Sequence, residues 1–296
     1  MANENGWGDG SSNNAIGWGQ GANNATGWGS SQATSWSGLT NIVGSSVDSD
    51  AQAFITAAAI TDATQQSAIN TLVTGLKTDG IWSKMKAIYP FVGGTASTHK
   101  FNLKDPRDLN AAFRLTFSGG WTHSANGATP NGTNGFADTY LTPSANLSLN
   151  STHLSYYSRT NTTNQQVEIG LTDTLTDLYL LYSFSGNAYK GLNAKATTIG
   201  TLFSPTTGFL IANRPSSTTE KYYWKGSLTD TITKNSVSLS SIKMYLGAYN
   251  NNLTGATFYS TKQTAFSSVG DGLTDTEAAN YYTRVQAFQT TLNRNI

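Results

Sequence analysis

From about residue 95 to residue 270, apolar and polar residues alternate with a period of two, and no other feature of the chain narrows its fold so far. The segments AAFRLTF (111–117), HLSYYSR (153–159), VEIGL (167–171), DLYLLYSF (177–184), GFLIANR (208–214), KYYWKGSL (221–228), KMYLGAY (243–249) and TAFSSVG (264–270) are separated by turns of Gly, Asn, Ser and Thr. A period of two sends alternate side chains to opposite faces of a strand. Short strands at near-regular spacing point to two sheets packed as a sandwich or jelly roll. Only 12% of the chain is charged, about half the usual share, which suits a polar, turn-rich β protein. After the last strand, Thr274-x-x-Glu277 has the spacing of a capping box. Tyr281, Tyr282, Val285, Phe288 and Leu292 then form a stripe that would dock a terminal helix on the sandwich.

Residues 48–94 read differently. Ser49-x-x-Gln52 and Asp62-x-x-Gln65 each have helix-start spacing. The first precedes Phe54 and Ile55, and the second precedes Ile69, Leu72, Val73 and Leu76 at i, i+3, i+4 and i+7. Two short helices with one apolar stripe each do not fold alone. They are expected to pack on one another, on the following domain, or on copies of the chain, and the expectation taken forward is a neck that holds a homotrimer through those six residues.

Residues 1–47 are rich in Gly, Asn, Ser and Ala and say Gly-Trp-Gly three times, around Trp7, Trp18 and Trp28, with Trp36 as a fourth ring. Such a segment has nothing with which to bury its tryptophans, so they are expected to anchor it to a larger partner. The fold class is therefore mainly β: an extended N-terminal anchor (1–47), a short helical neck (48–94) and a C-terminal two-sheet β-sandwich (95–296) closed by a terminal α-helix.

Charge and composition exclude several functions. A net charge of +1 gives no basic field for a nucleic-acid backbone. No apolar run reaches the length of a membrane span, and no basic stretch followed by an apolar one begins the chain. Cysteine is absent, so stability must come from packing or oligomerisation. Neither cofactor nor metal is expected.

Three stretches carry a family resemblance. VGDGLTDTEAANYYTRVQAFQTTLNR at the C-terminal end resembles the strand-to-helix turn that closes the concanavalin A-like, laminin-G-like domains of phage virion proteins. SDAQAFITAAAITDATQQSAINTLVTGLKTDGIWSKMKAIYPFVGG, running into HKFNLKDP, is similar to the neck and first strand placed before that domain in fibre and appendage proteins. NNAIGWGQGANNATGWG is similar to N-terminal segments of appendage proteins from phages of Bacteroidota. The resemblance covers roughly residues 48–296. It implies a fibre or decoration on the outer surface of a virion, joined to other virion proteins through its N-terminus and meeting host-surface glycans with its sandwich. The alternative is a free carbohydrate-binding module.

Sandwiches of this kind also carry glycosidases, which need two carboxylates flanking one bond. The chain has four glutamates, Glu4, Glu168, Glu220 and Glu277, and none has a second acid at the Glu-x-Asp-x-x-Glu spacing. Glu168 is expected on a strand surface, and His99, His123 and His153 on surfaces or turns. The chain is read as non-enzymatic. For glycan binding, GGWTHSANGATPNGTNGFADTY (119–140) reads as a long loop with Trp121 as a platform for a sugar ring and Asn126, Asn131 and Asp138 for its hydroxyls. Tyr223 is a second aromatic candidate. The competing expectation for both rings is packing against the sandwich.

Overall fold

The computed structural model describes residues 47–184, 187–201 and 206–296. Trp7, Trp18, Trp28 and Trp36, and with them the anchor expected at the N-terminus, lie outside the described residues. The helices are α1 (Ser49–Ala57), α2 (Ala63–Thr78), the single turns α3 (Ala96–His99) and α4 (Pro143–Asn146), and α5 (Asp275–Thr291). The strands are β1 (Met85–Tyr89), β2 (Thr116–Ser118), β3 (Trp121–Ser124), β4 (Gly127–Pro130), β5 (Phe136–Asp138), β6 (Thr152–Ser158), β7 (Gln166–Val167), β8 (Ile169–Thr172) and β9 (Asp177–Phe184). They continue with β10 (Asn187–Ala194), β11 (Thr197–Thr201), β12 (Gly208–Ser216), β13 (Thr219–Trp224), β14 (Ser227–Thr233), β15 (Tyr245–Leu246), β16 (Tyr249–Asn251), β17 (Gly255–Thr257) and β18 (Thr264–Gly270).

One sheet runs β14-β13-β12-β6-β18-β4-β3, with β1 also paired to β18, and makes eight strands. Facing it are a six-stranded sheet, β17-β16-β8-β15-β5-β2, and a four-stranded one, β11-β10-β9-β7. Leu154, Tyr156, Leu210, Ala212 and Tyr222 point from the eight-stranded sheet into the gap, where they meet Ala137, Ile169, Leu171, Leu178, Leu192 and Leu246. This is the mainly β sandwich that the alternation predicts.

The reverse face of the eight-stranded sheet is not exposed. Tyr157, Phe209, Ile211, Tyr223 and Phe266 pack there under α1, α2 and α5. Covering both faces explains why every residue of β6 and β18 is buried, the pattern that a central strand takes when neither side meets water.

The helices begin where side chains can satisfy their first N–H groups. Thr274 and Glu277 form the full capping box of α5. At α2, Asp62 accepts from the Gln65 N–H at 2.8 Å, while the Gln65 side chain accepts from the Gly93 N–H instead of returning to the cap. At α1 the cap is Asp48, one residue before the expected Ser49. Lys77 reaches Asp48 and Asp50 at 2.7 Å and ties α1 to α2.

The neck requires a correction. Phe54, Ile55, Ile69, Leu72, Val73 and Leu76 are all buried within one chain, in the same cluster as Tyr281, Val285 and Phe288 of α5 and the reverse face of the sheet. A stripe so covered has no apolar surface left for sister chains, and the homotrimer expected on it loses its basis. Nor is residue 94 a structural boundary, because β1 lies before it and pairs with β18 through Tyr89↔Ser267 and Ile88↔Ser268. Arg284 of α5 donates to Asp79 at 2.7 and 3.0 Å. Its stem crosses α2 at Gly75, where an added Cβ would sit 2.7 Å from the Arg284 Cδ. AAFRLTF is a 3-10 turn at Asn110–Ala112 followed by a strand that starts only at Thr116. Phe113, which adopts a φ of 58°, breaks the extended run.

Candidate functional site

The side of the six-stranded sheet turned away from the sandwich core carries a compact group of aromatic and charged residues. Cross-strand partners in an antiparallel sheet share a face. Thr116, Asp138 and Tyr245 are partners across β2, β5 and β15, and Ser118 and Phe136 form the next row. Their sequence neighbours Ala137 and Leu246 point the other way, into the core.

Phe136 and Tyr245 touch diagonally, with ring centroids 4.6 Å apart and planes inclined at 33°. Both residues are partly buried, neither enclosed in the core nor fully exposed. Beside them, Tyr140 donates its hydroxyl proton to Thr116 Oγ1 at 3.0 Å, and the Lys243 ammonium lies 4.5 Å from the centre of its ring. Lys243 also bonds Asp138 Oδ2 at 2.9 Å. The other Asp138 oxygen accepts from the Tyr140 backbone N–H at 2.7 Å.

That last bond fixes an unusual backbone. Tyr140 has a φ of 57°, a left-handed conformation that costs a bulky residue energy and persists only where its surroundings enforce it. The enforcement comes from both sides. Thr139 and Leu141 are pinned to Met244 by backbone bonds of 3.2 and 2.9 Å, and the Lys243 carbonyl accepts from Asn250 at 2.9 Å. The strain aims the Tyr140 ring between Thr116 and Lys243. The Asp138 carboxylate holds the Lys243 ammonium charged and raises its pKa, while burial raises that of the Tyr245 hydroxyl. Such a surface offers ring faces to the C–H side of a sugar and hydrogen-bonding groups at its edge.

The sequence-predicted residues fall unevenly around this face. Asp138 is at its centre. Trp121 is beside it but not on it: the indole N–H is shared by the Ser118 and Phe136 carbonyls at 3.2 Å. One edge of the indole packs on Phe117 and its six-membered ring lies against Gly247. It positions Phe136 from behind. The 119–140 segment is not one long loop but the β3–β4 hairpin followed by β5. Asn131 ties its end, accepting from the Thr133, Asn134 and Gly135 N–H groups at 3.0, 3.1 and 3.0 Å. Asn126 is exposed at the β3–β4 turn. Tyr223 is 2% exposed, sits under the helices on the reverse face of the other sheet, and donates to Asp275 at 2.7 Å, so it is a core residue. Phe136, Tyr140, Lys243 and Tyr245 were missed. The alternation in FADTY and KMY contained the signal, since i and i+2 share a face, but nothing local shows that the two segments become neighbours.

Several other titratable groups are buried in the fold. Glu168 is not on the surface but buried against Lys262 at 2.5 Å. Glu220 is buried against Arg214. His153 is buried against Asp271, whose carbonyl is 2.6 Å from Nδ1, and burial pushes its pKa down to about 4. His99 and His123 meet at 2.9 Å between their Nδ1 atoms, with His99 pushed by burial to about 3. Among the described residues no three His, Asp or Glu side chains are grouped as a metal ion would require, and no helix is long and apolar enough to cross a membrane.

No protein-family profile matches the chain, and none of the curated proteins does. Among solved structures it is similar to a mutant of Trypanosoma rangeli sialidase displaying trans-sialidase activity, at 12% identity and a TM-score of 0.48, over 77% of this chain and 39% of that one. It is similar to the botulinum neurotoxin serotype D binding domain, at 12% identity and a TM-score of 0.43, over 69% of this chain and 52% of that one. It is similar to Domain 4 of AbnA, a GH43 extracellular arabinanase from Geobacillus stearothermophilus, in complex with arabinotriose, at 15% identity and a TM-score of 0.42, over 67% of this chain and 98% of that one.

Proposed function

We propose that the chain is a non-catalytic glycan-binding sandwich that a phage particle displays on its outer surface as an appendage, joined to other virion proteins through residues 1–47. The observation that carries the glycan reading is the Phe136–Tyr245 platform, with Tyr140, Asp138 and Lys243 at its edge. Partly exposed rings held on paired strands lose little entropy when a sugar stacks on them. The reading as binding without turnover rests on the single carboxylate of this group, Asp138, whose two oxygens are engaged by Lys243 and the Tyr140 N–H, whereas hydrolysis uses a pair. The virion reading rests on the resemblance of residues 48–296 to phage appendage proteins and on the tryptophan repeats of the N-terminus.

Saturation-transfer NMR against a panel of oligosaccharides tests the glycan site. Tyr245→Ala and Phe136→Ala should each remove the signal while the melting temperature stays within a few degrees. Unchanged binding in both variants would move the site elsewhere. Turnover of any bound oligosaccharide would overturn the non-catalytic reading.

A further inference from the structure

We propose that the sugar this face takes is acidic, a pyranose carrying a carboxylate, and that Lys243 selects it; the inference rests on the reading of the face as a glycan site. The two halves of the Lys243–Asp138 pair are unequally presented. The lysine side chain is 46% exposed and the aspartate 16%. Both Asp138 oxygens are engaged, one by Lys243 and one by the Tyr140 N–H. The ammonium has three donors, and among the described residues Asp138 is its one hydrogen-bond acceptor. The pair therefore turns its negative end inward and its positive end, with donors to spare, toward a ligand.

The surroundings have the same sign. Arg114 is held by Asp108 at 2.8 Å, and Lys100 shares that carboxylate at 2.5 Å. Asp108 and, more weakly, Tyr140 hold the pKa of the Arg114 guanidinium up, and the same Tyr140 ring carries the Lys243 ammonium. Asp108 thus carries two cations, Lys100 and Arg114, which leaves that ion-pair group one positive charge in excess.

A sugar stacked on Phe136 and Tyr245 presents its ring substituents toward that edge. A hydroxyl there would accept one hydrogen bond from the ammonium, whereas a carboxylate accepts the same bond and adds its own opposite charge, which makes the contact an ion pair. Exposure limits the gain, since solvent and salt screen a pair at the surface. The expected preference is about two- to fivefold, at low salt.

The test uses the full chain and two matched probe pairs, galacturonate trimer against galactotriose and sialyllactose against lactose, titrated by NMR at about 0.01 M and about 0.15 M salt. In at least one pair the acidic member should bind more tightly, the preference should shrink with salt, Lys243→Gln should bring the ratio close to one, and Lys243→Arg should restore it. Equal affinities within both pairs, or a preference that survives Lys243→Gln, would overturn the selection by Lys243. If Tyr245→Ala still abolished all binding in that case, the glycan face itself would stand. Binding indifferent to Tyr245→Ala, or no binding of any probe at millimolar concentration, would sink the face and the selectivity together.

Discussion

Leu76→Ala tests whether α1 and α2 belong to the fold of one chain. Leu76 is fully buried, in the cluster that α2 shares with α5 and the reverse face of the eight-stranded sheet. The substitution removes three carbon atoms from that cluster, and at about 0.8 kcal/mol for each the transfer loss is about 2.4 kcal/mol. A site enclosed by helices on one side and a sheet on the other collapses poorly, so the cavity adds about 1 kcal/mol, for a total of about 3 to 4 kcal/mol. Urea unfolding of the full chain, followed by far-UV circular dichroism, measures the change directly. With a slope of about 2 to 3 kcal/mol per molar, the midpoint should fall by about 1 to 2 M. It should also be independent of protein concentration, because the stripe is satisfied inside the chain. A loss below about 1 kcal/mol, or a midpoint that rises with protein concentration, would mean that the stripe faces sister chains and that its intrachain packing is wrong.

Four further outcomes follow from the same structure. Trp121→Ala should lower the melting temperature as well as glycan binding, because the indole fills the sheet edge and holds the Phe136 carbonyl; a loss of binding at unchanged stability would return Trp121 to the platform itself. Glu220→Gln leaves the fully buried Arg214 guanidinium uncompensated and should cost about 3 to 5 kcal/mol, while Arg214→Met with Glu220→Leu should cost much less, both read by urea unfolding. Burial holds His99 and His153 at about 3 and about 4 in the folded chain against about 6.5 unfolded, so the unfolded state takes up protons first; their contribution is complete above pH 6.5 and is lost as pH falls, about 2 kcal/mol for each by pH 5, and a stability flat between pH 7 and 5 would refute it. Deleting residues 1–40 should leave a folded chain that no longer joins particles, measured by its copy number in purified virions.

Much of the sandwich was legible because several of its strands are locally consistent: DLYLLYSF and TAFSSVG are β9 and β18 to the residue. The caps at Asp62 and Thr274 were legible for a similar reason, since each acts within one turn. What a stripe packs against is a different kind of information. Ile69, Leu72, Val73 and Leu76 announce burial, but only the return of α5 some 200 residues later, Asp79 to Arg284 among its contacts, decides that the burial is internal. The same limit hid the aromatic face, since Asp138 and Lys243 meet across 105 residues. Glu168 looked like a surface acid because its neutralising partner, Lys262, is 94 residues away.

The double covering of the eight-stranded sheet also divides the molecule by how freely it can change. Each residue of β6 and β18 is enclosed, so a substitution there disturbs a core on one side or the other. β5 and β15, which hold the aromatic face, are only three and two residues long, and Phe136, Asp138 and Tyr245 point outward from them. A new ligand preference can therefore be tried by exchanging a few outward side chains, at little risk to folding, while the slab behind them stays fixed. A domain built in this way can keep pace with a changing target surface far faster than its architecture drifts.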